Sequence, residues 1–127
     1  MSLLGIDVGT SGCKAAVFSE GGRLLHLAYE EYDYARPRPG WAELDAARIW
    51  PGIKRTIGRA AAGAGADPIR ALCVSSLGEA VVAVTADREI LGPSILNFDP
   101  RGEEFLPGLR DALPPERLYA VNGNTLG

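Results

Sequence analysis

The amino-acid sequence predicts an α/β fold, a mixed β-sheet with helices on its faces. Three strand-like segments come first and only short glycine-containing turns separate them, which is typical of an antiparallel meander of two hairpins. A long amphipathic segment follows, and then a fourth strand. A crossover helix allows the strand that follows it to run parallel to a neighbour. After an antiparallel meander, this order therefore predicts a mixed sheet.

The three opening strands are predicted from their apolar patterns. The first is a nearly continuous apolar run, which is typical of a strand buried on both faces. The third alternates between apolar and polar residues. The predicted strands are Leu3–Val8, Lys14–Ser19 and Arg23–Tyr32. The turns between them are rich in residues that tolerate a positive φ angle.

Helix signals begin at Asp45, which is predicted to cap the helix that follows the meander. Apolar residues then recur four positions apart, at Ile49, Ile53, Ile57 and Ala61. Pro51 lies inside this pattern. Because proline has no backbone N–H group, we expect it to kink the first turns of the helix.

The remaining elements are shorter. Strands are predicted at Ile69–Val74 and Ala80–Val84. Asp99 and Pro100 are predicted to open another helix, with proline at its first position. A last short helix is predicted at Pro115–Val121.

Composition and charge exclude several classes of protein. A chain of 127 residues fits one domain with an ordinary core. The net charge is −3 and the basic residues are scattered, whereas nucleic-acid binding needs a basic face. No apolar run approaches the roughly 18 residues of a membrane helix. We therefore expect a cytoplasmic protein with neither a nucleic-acid nor a membrane partner.

The first glycine-rich turn carries the clearest chemical signal. Asp7 lies in an apolar strand two residues before the turn, and a buried carboxylate needs a cation or hydrogen-bond donors. The turn Gly9–Gly12 offers backbone N–H groups and two hydroxyls, which together can form an anion site, and Lys14 adds a cation. A plainer interpretation is that these are good hairpin residues and that Asp7 only caps the turn. Neither a Walker loop nor a dinucleotide-binding fingerprint is present.

Four segments in the same order resemble one protein family. The run G-I-D-V-G-T-S-G-C-K-A-A-V-F at positions 5–18 resembles the first phosphate motif of the FGGY carbohydrate kinases. These enzymes belong to the actin-like ATPase superfamily and have its ribonuclease-H-like fold. The other matching segments are Pro39–Asp45 with Ile49 and Trp50, Ile69–Ser76, and Ile95–Arg101. The similarity continues to Val121–Asn124 and thus covers nearly the whole chain.

The resemblance implies roles for the first turn. Asp7 would orient a magnesium ion and the phosphate that is transferred. The hydroxyls of Thr10 and Ser11, with the amides of Gly9 and Gly12, would hold the phosphates of ATP. Lys14 would face the nucleotide. Phosphoryl transfer depends mainly on positioning and charge neutralisation, which these groups can supply.

The resemblance is less specific at the sugar end. Gly78 and Glu79 fall where relatives carry residues that contact the substrate, and a carboxylate can accept hydrogen bonds from adjacent hydroxyls. Glu79 could instead be a solvated turn residue. Asp99 and Arg101 are candidates for the same cleft, although Asp99 before a proline is equally suited to cap a helix.

Two parts of the family's machinery lie beyond the segments that match. These are a later aspartate, which acts as the general base on the sugar hydroxyl, and most of the adenine contacts. We therefore interpret residues 1–127 as a partial N-terminal domain of a kinase for a sugar or polyol, with little or no activity alone. The alternative is a non-catalytic interaction module with the same fold. An incomplete sheet should also expose an edge, which could pair with a second copy in a homodimer.

Overall fold

The structure is a computed structural model that describes residues 1–123, so Asn124 of the last matching segment lies outside the described residues. A four-stranded sheet dominates it, with strand order β3-β2-β1-β5. Its strands are β1 (Ser2–Val8), β2 (Gly12–Ser19), β3 (Leu24–Glu31) and β5 (Ile69–Ser76). β1 and β2, like β2 and β3, are antiparallel, whereas β1 and β5 are parallel. The predicted mixed sheet with an antiparallel meander is confirmed.

One long helix, α1 (Ala46–Gly63), covers a single face of the meander. The carboxylate of Asp45 caps it by accepting hydrogen bonds from the backbone N–H groups of Ala47 at 2.9 Å and Arg48 at 3.2 Å, as predicted. The helix continues through Pro51. Its buried positions are Gly52, Ile53, Thr56 and Ala60, and Ile49 and Ile57 are partly buried against the same core, so the buried face includes the predicted isoleucines and extends to one side of them.

The main core lies between this helix and the meander. It contains side chains from β1, β2, β3 and α1, namely Leu4, Ile6, Cys13, Ala15, Val17, Ala28, Ile53 and Ala60. A second, smaller core consists of Ala42, Leu44 and Leu96. The short strands β4 (Glu43–Leu44) and β6 (Ser94–Ile95) pair antiparallel beside it.

Two predictions about burial are wrong. β1 is buried on one face only, because no layer covers the other face within the described residues, and Leu3 is 45% exposed there. Asp7 lies on this open face and is exposed. Its carboxylate is thus in contact with water and avoids the cost of burying an isolated charge.

Two predictions about secondary structure are also wrong. The segment 80–84 forms isolated bridges at Val81 and Val84 in place of a strand. Asp99 caps no helix, because its carboxylate accepts a hydrogen bond from the backbone N–H of Arg101 and closes a local turn. A 3-10 turn, Glu103–Phe105, begins after Gly102, whose φ of 99° suits glycine.

The chain divides into two compact units. The first is Met1–Asn97 and contains the sheet and α1. The second begins at Phe98 and contains the 3-10 turn, α2 (Leu106–Ala112) and α3 (Pro115–Asn122), the last of which agrees with the predicted final helix. None of the helices in residues 1–123 combines the length and apolar character that a membrane span requires.

Candidate functional site

The turn between β1 and β2 is closed by a hydrogen bond from the Gly9 N–H to the Gly12 carbonyl, at 2.9 Å. Thr10 and Ser11 form its tip. Two carbonyls of the turn accept hydrogen bonds from the end of β3: the Tyr32 hydroxyl donates to the Gly9 carbonyl at 2.7 Å, and the Tyr32 N–H donates to the Ser11 carbonyl at 3.1 Å. The turn is therefore held by three short, well-defined contacts.

These contacts decide which amides face outward. The Gly9 N–H is engaged within the turn, so it is not available to a phosphate in this geometry. In a trans peptide the C=O and the next N–H point in opposite directions. Because the Gly9 carbonyl points to Tyr32, the Thr10 N–H points away from Tyr32. No backbone hydrogen bond of the described residues uses the N–H of Thr10 or Ser11.

Gly12 is needed for packing. A Cβ atom at this position would lie 2.5 Å from the ring of Tyr29, which covers the glycine from β3. The Tyr29 hydroxyl also donates to the Ser11 carbonyl, at 3.4 Å. Any larger residue at position 12 would displace this ring, so the glycine allows the close approach of β3 to the turn.

Asp7 and Lys14 lie together on the open face of the sheet. They are direct cross-strand partners, and Ser75 of β5 is the partner of Asp7 on its other side. All three line a shallow cavity of about 350 Å³. Within residues 1–123 the Asp7 carboxylate has no ion pair, and Lys14 stands 5.9 Å from the ring centre of Tyr29. The carboxylate is free to bind a ligand.

This donor set fits one type of magnesium site. Magnesium in kinases is usually bound by one or two carboxylates, and waters and substrate phosphates complete its coordination. Asp7 supplies one exposed carboxylate. No group of three or more His, Cys, Asp or Glu side chains in the described part of the chain could hold an ion by itself. The residues therefore fit a magnesium ion that is held jointly with phosphates.

The groups beneath the turn are uncharged. Burial, with smaller contributions from Cys13, Asp7 and Tyr29, raises the pKa of the Tyr32 hydroxyl to about 12. Burial and the charge of Asp7 also raise the pKa of the Cys13 thiol. Tyr32 therefore remains protonated near neutral pH and keeps donating its hydrogen bond to the turn.

Gly78 and Glu79 lie in a second cavity, of about 340 Å³, with Leu77, Ala80, Leu96 and Asn97 as the other lining residues. Glu79 is exposed, so its carboxylate can accept hydrogen bonds from a ligand. Asp99 and Arg101 belong to the second unit, where they pair with each other. The Arg101 guanidinium donates to both carboxylate oxygens of Asp99, at 2.9 and 2.6 Å.

Sequence reasoning missed four residues that the structure places at these sites. Tyr29 and Tyr32 contact the first turn, Ser75 lies beside Asp7, and Asn97 lines the cavity of Glu79. Only Ser75 left a usable signal. It directly follows the predicted strand Ile69–Val74, and the carboxyl ends of parallel strands lie at the same edge of a sheet.

Comparison with known proteins gives consistent results. The N-terminal domain of the FGGY family of carbohydrate kinases matches residues 2–127. The L-xylulose/3-keto-L-gulonate kinase of Escherichia coli K12 is 30% identical over 97% of this chain and 25% of its own length. The glycerol kinase of Polaromonas naphthalenivorans is 42% identical over 63% of this chain and 16% of its own length.

Solved structures show the same fold. A xylulose kinase from Brucella ovis superposes with a TM-score of 0.87, at 28% identity, over 98% of this chain and 26% of that one. Plasmodium falciparum glycerol kinase with ADP superposes with a TM-score of 0.78, at 19% identity, over 93% of this chain and 24% of that one. The chain spans 15–25% of the length of the curated relatives that it matches. It belongs to the FGGY family of carbohydrate kinases, whose N-terminal domain it matches from residue 2 onward.

Proposed function

We propose that this chain is the phosphate-binding part of a kinase that transfers the terminal phosphate of ATP to a hydroxyl of a sugar or polyol. The observation that carries the proposal is the first turn, where unused amides at Thr10 and Ser11 stand beside an unpaired carboxylate, Asp7. Amides that face outward on a tight turn bind anions, and a free carboxylate beside them suits a metal ion bridging phosphates.

Each group has a separate task in this proposal. The amides and hydroxyls of Thr10 and Ser11 bind phosphate oxygens, while Gly9 and Gly12 shape the turn. Lys14 adds positive charge beside them. Magnesium, when bound with the nucleotide, neutralises the charge on the phosphates, and Asp7 orients it through its carboxylate. We place the general base that deprotonates the sugar hydroxyl outside residues 1–127, so the isolated chain should have little or no activity.

The acceptor binds at the second cavity in this proposal. Glu79 accepts hydrogen bonds from two adjacent hydroxyls, and Gly78 leaves room for the ligand beside it. A cavity of about 340 Å³ suits a small sugar or polyol. The assignment of Asp99 and Arg101 to the acceptor rests on the family resemblance alone, since their mutual ion pair lies in the second unit.

Nucleotide binding tests the first half of the proposal. The test is a nuclear magnetic resonance (NMR) titration of the 127-residue chain with Mg-ADP, in which the amide signals of Thr10 and Ser11 should shift. Asp7→Ala should weaken Mg-ADP binding at least about fivefold, because an interaction that involves a charged group contributes more free energy than one between neutral groups. Asp87→Ala, at an exposed turn, is the matched control and should bind like the wild type. Equal affinity of Asp7→Ala and wild type would remove Asp7 from the site.

Turnover tests the second half. The product of the complete reading frame should phosphorylate at least one member of a panel of pentuloses, tetritols, glycerol and hexonates, and Glu79→Gln should raise KM for that acceptor without changing KM for ATP. Measurable turnover by the 127-residue chain alone would show that the base is not outside it. Failure to bind either Mg-ADP or any acceptor would favour the non-catalytic module.

A further inference from the structure

We propose that Tyr32 is a positioning residue for phosphate binding: its hydroxyl turns the peptide group between Gly9 and Thr10 so that the Thr10 N–H faces the nucleotide. This inference rests on the proposed function of the turn. It adds Tyr32, which lies outside the phosphate motif, to the residues on which phosphate binding depends. Tyr32 is the residue immediately after β3.

The argument begins with the geometry of one peptide group. The Tyr32 hydroxyl donates to the Gly9 carbonyl at 2.7 Å, the shortest of the contacts that join the turn to β3. Because the peptide is planar and trans, fixing this carbonyl also fixes the direction of the Thr10 N–H. Without the hydroxyl, the peptide group could rotate through changes in φ and ψ on either side, and the amide would lose its fixed orientation.

The ring of Tyr32 is itself held in place. It is half-buried and packs against both hydrophobic cores, the one beneath α1 and the smaller one around Leu44 and Leu96. Leu77 and Ala80, which flank Gly78 and Glu79, pack against that smaller core too. Tyr32 therefore joins the phosphate turn to the same packed residues that support the second cavity, and a donor on a fixed ring sets a defined direction.

The hydroxyl is also a constant donor. Since the pKa of Tyr32 is raised to about 12, the group does not ionise in the range where a kinase works. Tyr29, which lies within β3, provides an internal comparison. Its hydroxyl contact with the Ser11 carbonyl is long, at 3.4 Å, and its side chain is 46% exposed. A hydroxyl in that setting competes with water and constrains its acceptor less.

The test removes one oxygen atom at a time. Tyr32→Phe keeps the ring in both cores and deletes only the hydroxyl. In the Mg-ADP titration of the 127-residue chain, we expect Tyr32→Phe to weaken binding about threefold to tenfold, the range for loss of one hydrogen bond. The shift of the Thr10 amide signal on binding should shrink. Tyr29→Phe should have a smaller effect, and Tyr119→Phe, an exposed tyrosine of α3, should have none.

A second readout separates positioning from general structural damage. In the enzyme made from the complete reading frame, Tyr32→Phe should raise KM for ATP while KM for the acceptor stays within about twofold, since only the phosphate turn is altered. A merely structural loss would lower the active fraction and leave both KM values unchanged. Unchanged Mg-ADP affinity and KM for ATP in Tyr32→Phe would overturn the inference.

Wild-type protein supplies a check that needs no variant. On addition of Mg-ADP, the Thr10 amide signal should move strongly, whereas the Gly9 amide, already bonded to the Gly12 carbonyl, should move little. If Gly9 moves and Thr10 does not, the assigned orientation is wrong. If wild-type protein shows no binding at the turn, the proposed function fails first and the inference falls with it; if the wild type binds and Tyr32→Phe binds equally well, only the inference fails.

Discussion

β1 and β5 are neighbours in one sheet, yet their side chains are in very different surroundings. Leu4 of β1 and Leu72 of β5 are register partners, and they are 5% and 64% exposed. Both strands have comparable apolar content, and both take part in the same parallel pairing. The difference arises because α1 packs against the meander, whereas β5 reaches this core with Ile69 at its start and leaves Leu72 uncovered.

This comparison shows that burial of a strand depends on the layer above it as much as on its own residues. β5 carries Leu72 on one face and Cys73 on the other, and both are exposed. An apolar strand without a cover retains the capacity to bind one, because its apolar surface remains in contact with water.

The largest expected effect is on the free energy of unfolding, when the register partners Leu4 and Leu72 are each truncated. Leu4→Ala should lower the free energy of unfolding by about 2–5 kcal/mol, because it leaves a cavity in the main core. Leu72→Ala should change it by less than about 0.5 kcal/mol, since an exposed side chain loses little on truncation. Urea unfolding of both variants at low protein concentration measures the difference. Similar losses in the two variants would contradict the contrast.

The second effect concerns β5, which lies at the edge of the sheet that the described residues form. We expect the 127-residue chain to self-associate through this eight-residue strand, which carries a single charged residue, Arg70. Val74→Lys should weaken the association at least about tenfold, because it places a charge on the pairing strand. Val81→Lys, at a residue that is 79% exposed and outside β5, is the control. Sedimentation velocity across a concentration series that showed equal association in both variants would exclude β5 as the contact.

The third effect concerns the start of the covering helix. Asp45→Ala removes the side chain that accepts hydrogen bonds from two N–H groups of the first turn of α1. We expect a loss of about 1 kcal/mol in the free energy of unfolding, as is typical for a lost N-cap. Asp45→Asn, which can still accept these hydrogen bonds, should recover most of it. Thermal or urea unfolding of the two variants gives the result, and equal stability of Asp45→Ala and wild type would show that the cap contributes nothing.

The smallest effect is a dependence of stability on pH where α1 meets β3. Glu30 accepts hydrogen bonds from the Arg55 guanidinium, which is the main reason that its pKa lies below the ordinary value of 4.5, and Arg59 adds to this. Because the folded-state pKa is depressed, the stabilisation is complete above the unfolded pKa and is lost as the pH falls through the folded one. Melting temperatures of wild type should therefore fall more steeply on acidification than those of Glu30→Gln.

The exposed neighbour Glu31 provides the control for this measurement. Glu31→Gln should leave the acid dependence as it is in wild type, since no ion pair of the described residues involves Glu31. The expected change at Glu30 is modest because both arginines are largely exposed and water screens the pair. If the melting temperature of Glu30→Gln fell with pH as steeply as that of wild type, the contact of Glu30 with the two arginines would not be the source of the acid dependence.

Much of the fold could be predicted because its signals are local. The turns, the cap at Asp45 and the period of the apolar residues depend on neighbours within a few positions, so the sequence displays them directly. The wrong predictions have a common cause. The apolar run of β1 indicated two covered faces, and the apolar residues of 80–84 indicated a strand, but each outcome depended on whether another segment lies alongside.

The features of the candidate site also fall into two groups, those that the local sequence sets and those that packing sets. The positions of Thr10 and Ser11 at the tip of a tight turn, and of Asp7 and Lys14 on the two strands that it joins, follow from the sequence alone, because a hairpin with small residues at its tip places them there whatever surrounds it. The direction of the Thr10 amide, the loss of the Gly9 amide to an internal bond and the contact of Tyr32 with the turn were decided by tertiary structure. They depend on how β3 lies against the first hairpin, and a distance between residues 23 positions apart is set by packing and not by local preference.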